Sequence, residues 1–179
     1  MANFPKPGFA VLESSYRRSS MSVHECRLLD PTQPETRNTC AARMSEALVI
    51  ANALVRSRED ISALGRGQGT ERGRGDGGGY LLGTYGYLRH GHLCPHGIGR
   101  GAQALGAFLA RHWGPRSLGW NAQASRTSAP AEIQGKNGVV LYARIPTFTG
   151  EGHIDLWKGN APVGEAYWDA QTIWFWELP

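Results

Sequence analysis

The sequence predicts an α+β protein in which N-terminal helices pack on one side of a mostly antiparallel C-terminal sheet. Two segments with apolar residues at helical spacing begin at residues 40 and 101, and three short segments rich in β-branched and aromatic residues follow residue 137. Gly, Pro and Asn separate these later segments. A length of 179 residues suits one domain with a core of its own.

The first helix is predicted to begin at Cys40. Asn38 or Thr39 offers a side-chain oxygen that can accept a hydrogen bond from an amide of the first turn. From there, apolar residues recur at steps of three or four, which is the pattern of one face of an amphipathic helix. The residues of this face are Cys40, Met44, Leu48, Ala51 and Val55.

A second helix is predicted within "GAQALGAFLARHWGP", residues 101 to 115, because Gly114 and Pro115 are typical of a helix end. Just before it, "YLLGTYGYL" alternates loosely and predicts a possible strand over residues 80 to 88. The apolar face of this second helix consists of Leu105, Phe108, Leu109 and His112.

Three strands are predicted at residues 138–145, 152–157 and 172–178. The middle one reads "GHIDLW", and alternation places Ile154 and Leu156 on one face, which is the natural core face. The opposite face then carries His153, Asp155 and Trp157. A polar face of this kind is also typical of an ordinary edge strand.

Composition divides the chain into two parts. Residues 1–37 are rich in Pro, Ser and charge and predict an extended N-terminal arm, whereas residues 38–179 predict a single domain. Within this domain, the Gly-rich segment at about 65–79 is expected to be a flexible loop, since it has few apolar groups to bury.

Charge and cysteine content exclude few classes of function. A net charge of +4 favours anionic partners only weakly. The odd set of Cys26, Cys40 and Cys94 fits no disulfide framework, so at least one thiol should be free, and whether Cys26 and Cys94 pair is open. Without a secretory h-region or a bilayer-length apolar run, we expect synthesis in the cytoplasm, no signal peptide and no membrane insertion.

Cys40 and His153 together could perform nucleophilic catalysis. A helix N-terminus stabilises a thiolate, and a histidine can act as general base toward it. A carboxylate that orients the imidazole would complete the set, and the candidates are Asp155, Glu165 and Asp169. The alternative for Cys40 is simple packing, because cysteine is among the most buried residue types.

A different class of function is also open, namely a metal- or nucleic-acid-binding module. An extended "HGHLCPH" would turn four residues that can bind zinc to one side, although the usual two-part ligand spacing is lacking. The Gly-rich segment carries arginines of the kind that contact single-stranded nucleic acid, although a solvated loop is the better interpretation. These residues are His90, His92, Cys94 and His96, and Arg66, Arg72 and Arg74.

In combination, "NTCAARMSEAL", "GHIDLWKG" and the terminal "TIWFWELP" resemble the type VI secretion amidase effectors of family four, from about Asn38 to Leu178. The resemblance implies a papain-like, NlpC-like fold and a cysteine amidase without cofactor or metal. It implies Cys40 as nucleophile and His153 as base. The expected reaction is hydrolysis of the amide between D-glutamate and meso-diaminopimelate in the peptide stem of peptidoglycan.

The same resemblance implies partners and a place of action. The type VI secretion apparatus would deliver the protein to the periplasm of a competing cell, and a cognate immunity protein would inhibit it, with no role for nucleic acid. Members of this family carry an acidic residue in the loop after the histidine strand, sometimes between two disulfide-bonded cysteines. Here "NAPVGEAYWDA" has no cysteine. The third catalytic residue is therefore open between Asp155, on the same face as His153, and its rival Glu165.

Overall fold

The computed structural model describes residues 3–16, 39–64, 82–87, 93, 96–114, 118–121, 128–146, 148–150 and 152–179. The helices of these residues are α1 (Phe9–Ser15), α2 (Cys40–Ala51), α3 (Arg58–Leu64) and α4 (Ala102–Trp113). Short 3₁₀ turns occur at Leu82–Tyr85 and Ala131–Ile133. In this described part of the chain, no helix is long and apolar enough to cross a membrane.

The described residues also form five strands, β1 (Leu118–Asn121), β2 (Lys136–Ala143), β3 (Gly152–Gly159), β4 (Ala161–Pro162) and β5 (Thr172–Glu177). They form one sheet in the order β1-β5-β2-β3-β4, and every neighbouring pair is antiparallel. The predicted α+β class is therefore confirmed. The three predicted strands correspond to β2, β3 and β5, and the central β2–β3 pair runs in register from Ala143 opposite Gly152 to Lys136 opposite Gly159.

Both faces of the sheet are covered. Val139, Leu141 and Trp176 belong to the core shared with the helices, whereas Val140 and Phe175 belong to a second core on the opposite face. This division follows from strand geometry, since successive side chains point to opposite faces.

On strand β3, the face that was predicted to be polar is buried beside the second core. Ile154 and Leu156 lie in the helix-side core, as predicted, and Trp157 lies in the second core. Residues 152–157 are all buried. The face with His153 and Asp155 is therefore not the solvated edge that a lone strand would suggest, because loops that follow β2 and β4 contribute Ile145 and Ala170 to the second core.

Helix α2 begins at Cys40, as predicted. Thr39 occupies the N-cap position but makes no side-chain cap hydrogen bond, contrary to the predicted role, and Asn38 lies outside the described residues. The first helical bond is the backbone one from Arg43 N to Thr39 O, at 2.9 Å. Helix α4 also follows its prediction and ends at Trp113, with Gly114 at the C-cap, where a φ of 81° favours glycine.

Two segments differ from their predictions. Residues 82–85 form a 3₁₀ turn rather than a strand, with Leu82 fully buried and its amide bonded to Gly97 O at 3.2 Å. Residues 9–15, expected to be extended, form α1, whose Leu12 is fully buried beside Phe4. This helix is too short for periodicity to reveal, and tertiary contacts stabilise it. The boundary at residue 37 and the Gly-rich loop at 65–79 lie outside the described residues and stay predictions.

Candidate active site

Cys40 joins the start of α2 to the start of β3. Its side chain is 3% exposed, and its Sγ lies 3.9 Å from the carbonyl oxygen of Gly152, within the range for a weak thiol hydrogen bond. Gly152 has a φ of +134°, and a Cβ at this position would collide with the backbone carbonyl of Tyr142. Only glycine fits here without strain, so the approach of helix and strand depends on it.

His153 follows Gly152 and is held between two aromatic rings. Tyr142 is its cross-strand partner, and the two rings stack with centroids 6.1 Å apart and planes 22° apart. Tyr167 packs against the imidazole edge to face, at 5.2 Å and 67°. These contacts restrict the imidazole to one orientation.

The Asp155 carboxylate lies next to the imidazole. Its Oδ2 is 3.4 Å from His153 Nε2, and it is 1% exposed. Two backbone amides donate to it at 2.7 Å each, Leu156 N to Oδ1 and Glu165 N to Oδ2. A Cβ on Gly164 would collide with Oδ2, so the glycine allows the loop after β4 to reach the carboxylate.

The charges of the three residues support one another. Burial by itself would lower the pKa of His153, but the hydrogen bonds with Asp155 and with Cys40, and the charges of these two groups, raise this pKa to about 9. The protonated imidazolium is therefore favoured at neutral pH. The structure thus brings Cys40, His153 and Asp155 to the same place, where the start of α2 meets β3.

Glu165 contacts Asp155 through its backbone amide and not through its carboxylate. Its side chain is exposed and accepts a 2.6 Å hydrogen bond from the Tyr167 hydroxyl, while its backbone amide supports Asp155. Burial, and then the hydrogen bond with Glu165, raise the pKa of Tyr167 to about 12. Asp169 is exposed.

The sequence-based reasoning missed the neighbours of the catalytic candidates. Tyr142 and Tyr167 frame the imidazole, and Gly152 and Gly164 provide clearance. Tyr142 could have been found from the strand alternation only if the register of β2 on β3 had been known, because position along one strand does not identify the residue opposite.

The residues of the alternative binding module lie largely outside the described part of the chain. Of the histidine cluster, His96 is described and is 8% exposed. Within the described ranges, no three His, Cys, Asp or Glu side chains are placed to hold a metal ion. The zinc and nucleic-acid predictions therefore stay untested. The other residues of the module lie outside the described part, as does Cys26, and they are His90, His92, Cys94, Arg66, Arg72 and Arg74.

Comparison with known proteins identifies a family. The family model for amidase effector protein 4 of the type VI secretion system matches residues 87–176, about half of the chain. This segment includes His153 and Asp155, whereas Cys40 lies before it. No curated protein sequence matches the chain.

Several solved structures share the fold. The effector Tae4 of Enterobacter cloacae in complex with Tai4 is 16% identical, with 98% of this chain and 100% of that chain covered and a TM-score of 0.60. Tae4 of the same organism by itself is 15% identical, with 99% and 100% covered and a TM-score of 0.60. The Tae4–Tai4 complex of Salmonella Typhimurium is 14% identical, with 98% and 100% covered and a TM-score of 0.61.

At identities of 14% to 16%, structural similarity is evidence for the fold. It confirms the papain-like, NlpC-like arrangement of helices on an antiparallel sheet. The family model covers the half of the chain that carries α4 and the sheet with His153. The chain therefore belongs to the type VI secretion system amidase effector 4 family, a family of peptidoglycan amidases consistent with cysteine hydrolases.

Proposed function

We propose that the protein hydrolyses the amide between D-glutamate and meso-diaminopimelate in the peptidoglycan peptide stem, with Cys40 as nucleophile and His153 as general acid and base. One observation carries this proposal: Cys40 begins α2 with its Sγ 3.9 Å from the carbonyl oxygen of Gly152, the residue before His153, and the Asp155 carboxylate lies 3.4 Å from the His153 imidazole. If Cys40 were only a packing residue, the burial of a histidine and a carboxylate beside it would have no explanation. Polar groups are costly to bury, so an apolar neighbour would serve packing better.

In the acylation step, the Cys40 Sγ attacks the carbonyl carbon of the D-glutamyl side chain and forms a C–S bond. As the C–N bond breaks, the imidazolium of His153 donates its proton to the nitrogen of the leaving diaminopimelate amine. Because Nε2 of His153 faces Asp155, Nδ1 is the nitrogen that serves Cys40 and the leaving group. The products of this step are a free amine, a thioester and a neutral imidazole.

In the deacylation step, water attacks the thioester and His153 accepts its proton. The C–S bond then breaks, which restores the Cys40 thiolate and the imidazolium and releases the D-glutamyl carboxylic acid, which loses its proton to solvent. Backbone N–H groups of the first turn of α2, including that of Cys40, would stabilise the oxyanion of both steps, since a helix N-terminus directs its amides toward negative charge.

Asp155 is proposed as the third catalytic residue in preference to Glu165. It is buried, two amides hold both its oxygens, and it lies 3.4 Å from the imidazole, whereas the Glu165 carboxylate is exposed and bonded to Tyr167. A carboxylate in this position orients the imidazole and stabilises its protonated form.

Family membership supports the biological setting. The protein is a type VI secreted effector directed at the periplasm of recipient cells. Solved relatives form complexes with Tai4 immunity proteins, so a cognate immunity protein is expected to inhibit this chain as well.

Mass spectrometry of muropeptides from purified peptidoglycan tests the activity. The wild-type protein should produce fragments cut between D-glutamate and diaminopimelate, and Cys40→Ala should produce none. Cys26→Ala and Cys94→Ala are matched controls, since they remove the other two thiols of the chain and should leave cleavage intact. Cleavage by Cys40→Ala would refute the nucleophile, and cleavage of another bond would refute the substrate.

The same preparations address the alternative binding module. Zinc quantitation and a salt-dependent nucleic-acid titration should both be negative for an amidase. Stoichiometric zinc that is lost when His92 and His96 are replaced would favour a metal site in that segment instead.

A further inference from the structure

His112, in the last turn of α4, makes three polar contacts with residues far away in the sequence. The backbone amide of Phe4 donates to its Nδ1 at 3.1 Å. The side-chain oxygen of Asn3 lies 3.3 Å from the same nitrogen. On the other side of the ring, Nε2 lies 2.9 Å from the carbonyl oxygen of Tyr85. The imidazole therefore joins the N-terminal segment, residues 3–16, to α4 and to the 3₁₀ turn at residues 82–85.

The contacts with Phe4 and Tyr85 define the protonation state of the imidazole. A backbone amide can only donate, so Nδ1 must be an unprotonated acceptor toward Phe4. A carbonyl oxygen can only accept, so Nε2 must carry a proton toward Tyr85. Only the neutral imidazole with its proton on Nε2 satisfies both contacts. A second proton would place an N–H group on Nδ1, directed at the N–H group of Phe4.

The amide that His112 accepts belongs to a residue of the core. The Phe4 ring is fully buried and packs edge to face on Phe108 and on Tyr85, with centroids 5.1 Å apart in each pair. The imidazole of His112 also packs on Phe108, at 4.5 Å between centroids. The hydrogen bond at Phe4 N therefore fixes the backbone at the point where the N-terminal segment enters the core.

The next residue of the segment is held by donors that do not titrate. Pro5 O accepts hydrogen bonds from Asn52 Nδ2 at 3.2 Å and from Trp113 Nε1 at 3.1 Å. An amide and an indole keep their protons at any pH in the physiological range, whereas an imidazole changes its charge there. Of these three contacts at Phe4 and Pro5, the one with His112 is therefore the one that responds to acid.

The surroundings of His112 oppose a second proton. Burial, and then the charge of Arg111, lower the pKa of the imidazole below its ordinary value of 6.5, and the hydrogen bond with Tyr85 O opposes this shift only in part. Among the described residues, the titratable groups around the ring are Arg111 on its own helix and the Tyr85 phenol, whose ring centroid lies 6.3 Å away. Residues 3–5 carry no charged side chain.

We infer that His112 is an acid-sensitive latch, which holds Phe4 N while its imidazole is neutral and releases it when the imidazole takes up a proton from solvent. In the protonated state, Nδ1–H donates to the Asn3 side-chain oxygen, and the Phe4 amide loses its acceptor. The hydrogen bonds at Pro5 O persist, so the loosening is confined to the start of the N-terminal segment. This inference does not depend on the proposed amidase function.

Hydrogen exchange of the Phe4 amide tests the latch, followed by NMR from about pH 8 to about pH 5 and corrected for intrinsic exchange. The protection factor should fall about tenfold as His112 takes up its proton, because a buried amide is left without its acceptor. The Phe9 amide is the internal control. Its acceptor, Pro179 O at 2.8 Å, does not titrate in this range, so its protection should stay constant.

Two substitutions separate the two ring contacts. His112→Asn places a side-chain oxygen near the position of Nδ1, so the Phe4 amide should stay protected and its dependence on pH should disappear. His112→Gln places an NH₂ group near the position of Nε2 and keeps a donor for Tyr85 O, so the Phe4 amide should be weakly protected at every pH.

Three results would overturn the inference. The first is a protection of the Phe4 amide that does not change with pH in the wild type. The second is an equal fall of this protection at acid pH in His112→Asn. The third is a neutral imidazole with its proton on Nδ1, measured from the ring ¹⁵N chemical shifts of the wild type, which requires no variant to fold.

Discussion

Replacing Asp155 by Asn removes the charge behind His153 and keeps the shape of the side chain. In the wild type, the difference between the ordinary His pKa of 6.5 and about 9 corresponds to roughly 3 kcal/mol in favour of the imidazolium. Asp155 provides two of the four favourable contributions, through its hydrogen bond and its charge. Its loss should therefore lower the pKa of His153 by about one pH unit or more, which is roughly 1.4 kcal/mol.

The pH dependence of kcat/KM on a defined muropeptide measures this effect. The wild-type alkaline limb should fall near pH 9, where His153 loses its proton, and in Asp155→Asn it should move to about 8 or below. The maximal rate should also fall by at least tenfold, because an amide must turn its NH₂ group toward Leu156 N or Glu165 N. Glu165→Gln is the matched control and should leave the limb in place and kcat/KM within about twofold of wild type.

Stability provides the same test without substrate. A folded-state pKa above the unfolded value means that the folded protein binds more protons between pH 6.5 and about 9, so the free energy of unfolding should fall as pH rises through this range. In Asp155→Asn this fall should be smaller and should be complete at lower pH. An alkaline limb and a stability profile in Asp155→Asn that both match wild type would refute the assignment of Asp155. A larger loss of kcat/KM in Glu165→Gln than in Asp155→Asn would instead assign the role to Glu165.

Two further substitutions, each with a control, test the supporting structure. Gly164→Ala should lower kcat at least tenfold with little change in Tm, because the added Cβ displaces Asp155 Oδ2. The control is Gly8→Ala, whose Cβ would meet nothing nearer than 3.7 Å and which should leave kcat unchanged. Arg58→Ala should cost about 3 kcal/mol in urea unfolding, because it takes the 2.8 Å ion-pair partner from the fully buried Glu46 carboxylate; a cost below about 1 kcal/mol would contradict this. Lys136→Ala, at an exposed ion pair, should cost less than about 1 kcal/mol in the same measurement.

The sequence alone determined the parts of the protein that depend on local pattern. The spacing of apolar residues after Cys40 predicted α2 and the position of the thiol at its start, because helical periodicity is a property of neighbouring residues. Alternation in "GHIDLW" predicted that His153 and Asp155 share a face opposite Ile154, because side-chain direction in a strand alternates whatever lies beside it.

Only the tertiary structure decided which groups surround these residues. The preference for Asp155 over Glu165 depends on where the loop after β4 directs a backbone amide and where it directs a side chain. The ion pair of Glu13 with Lys158 on β3 depends on how α1 packs, since more than one hundred residues separate the two. Contacts between distant segments leave no periodic signal in a single sequence, so it could predict the elements on which Cys40 and His153 lie, whereas it could not predict the groups that hold the carboxylate.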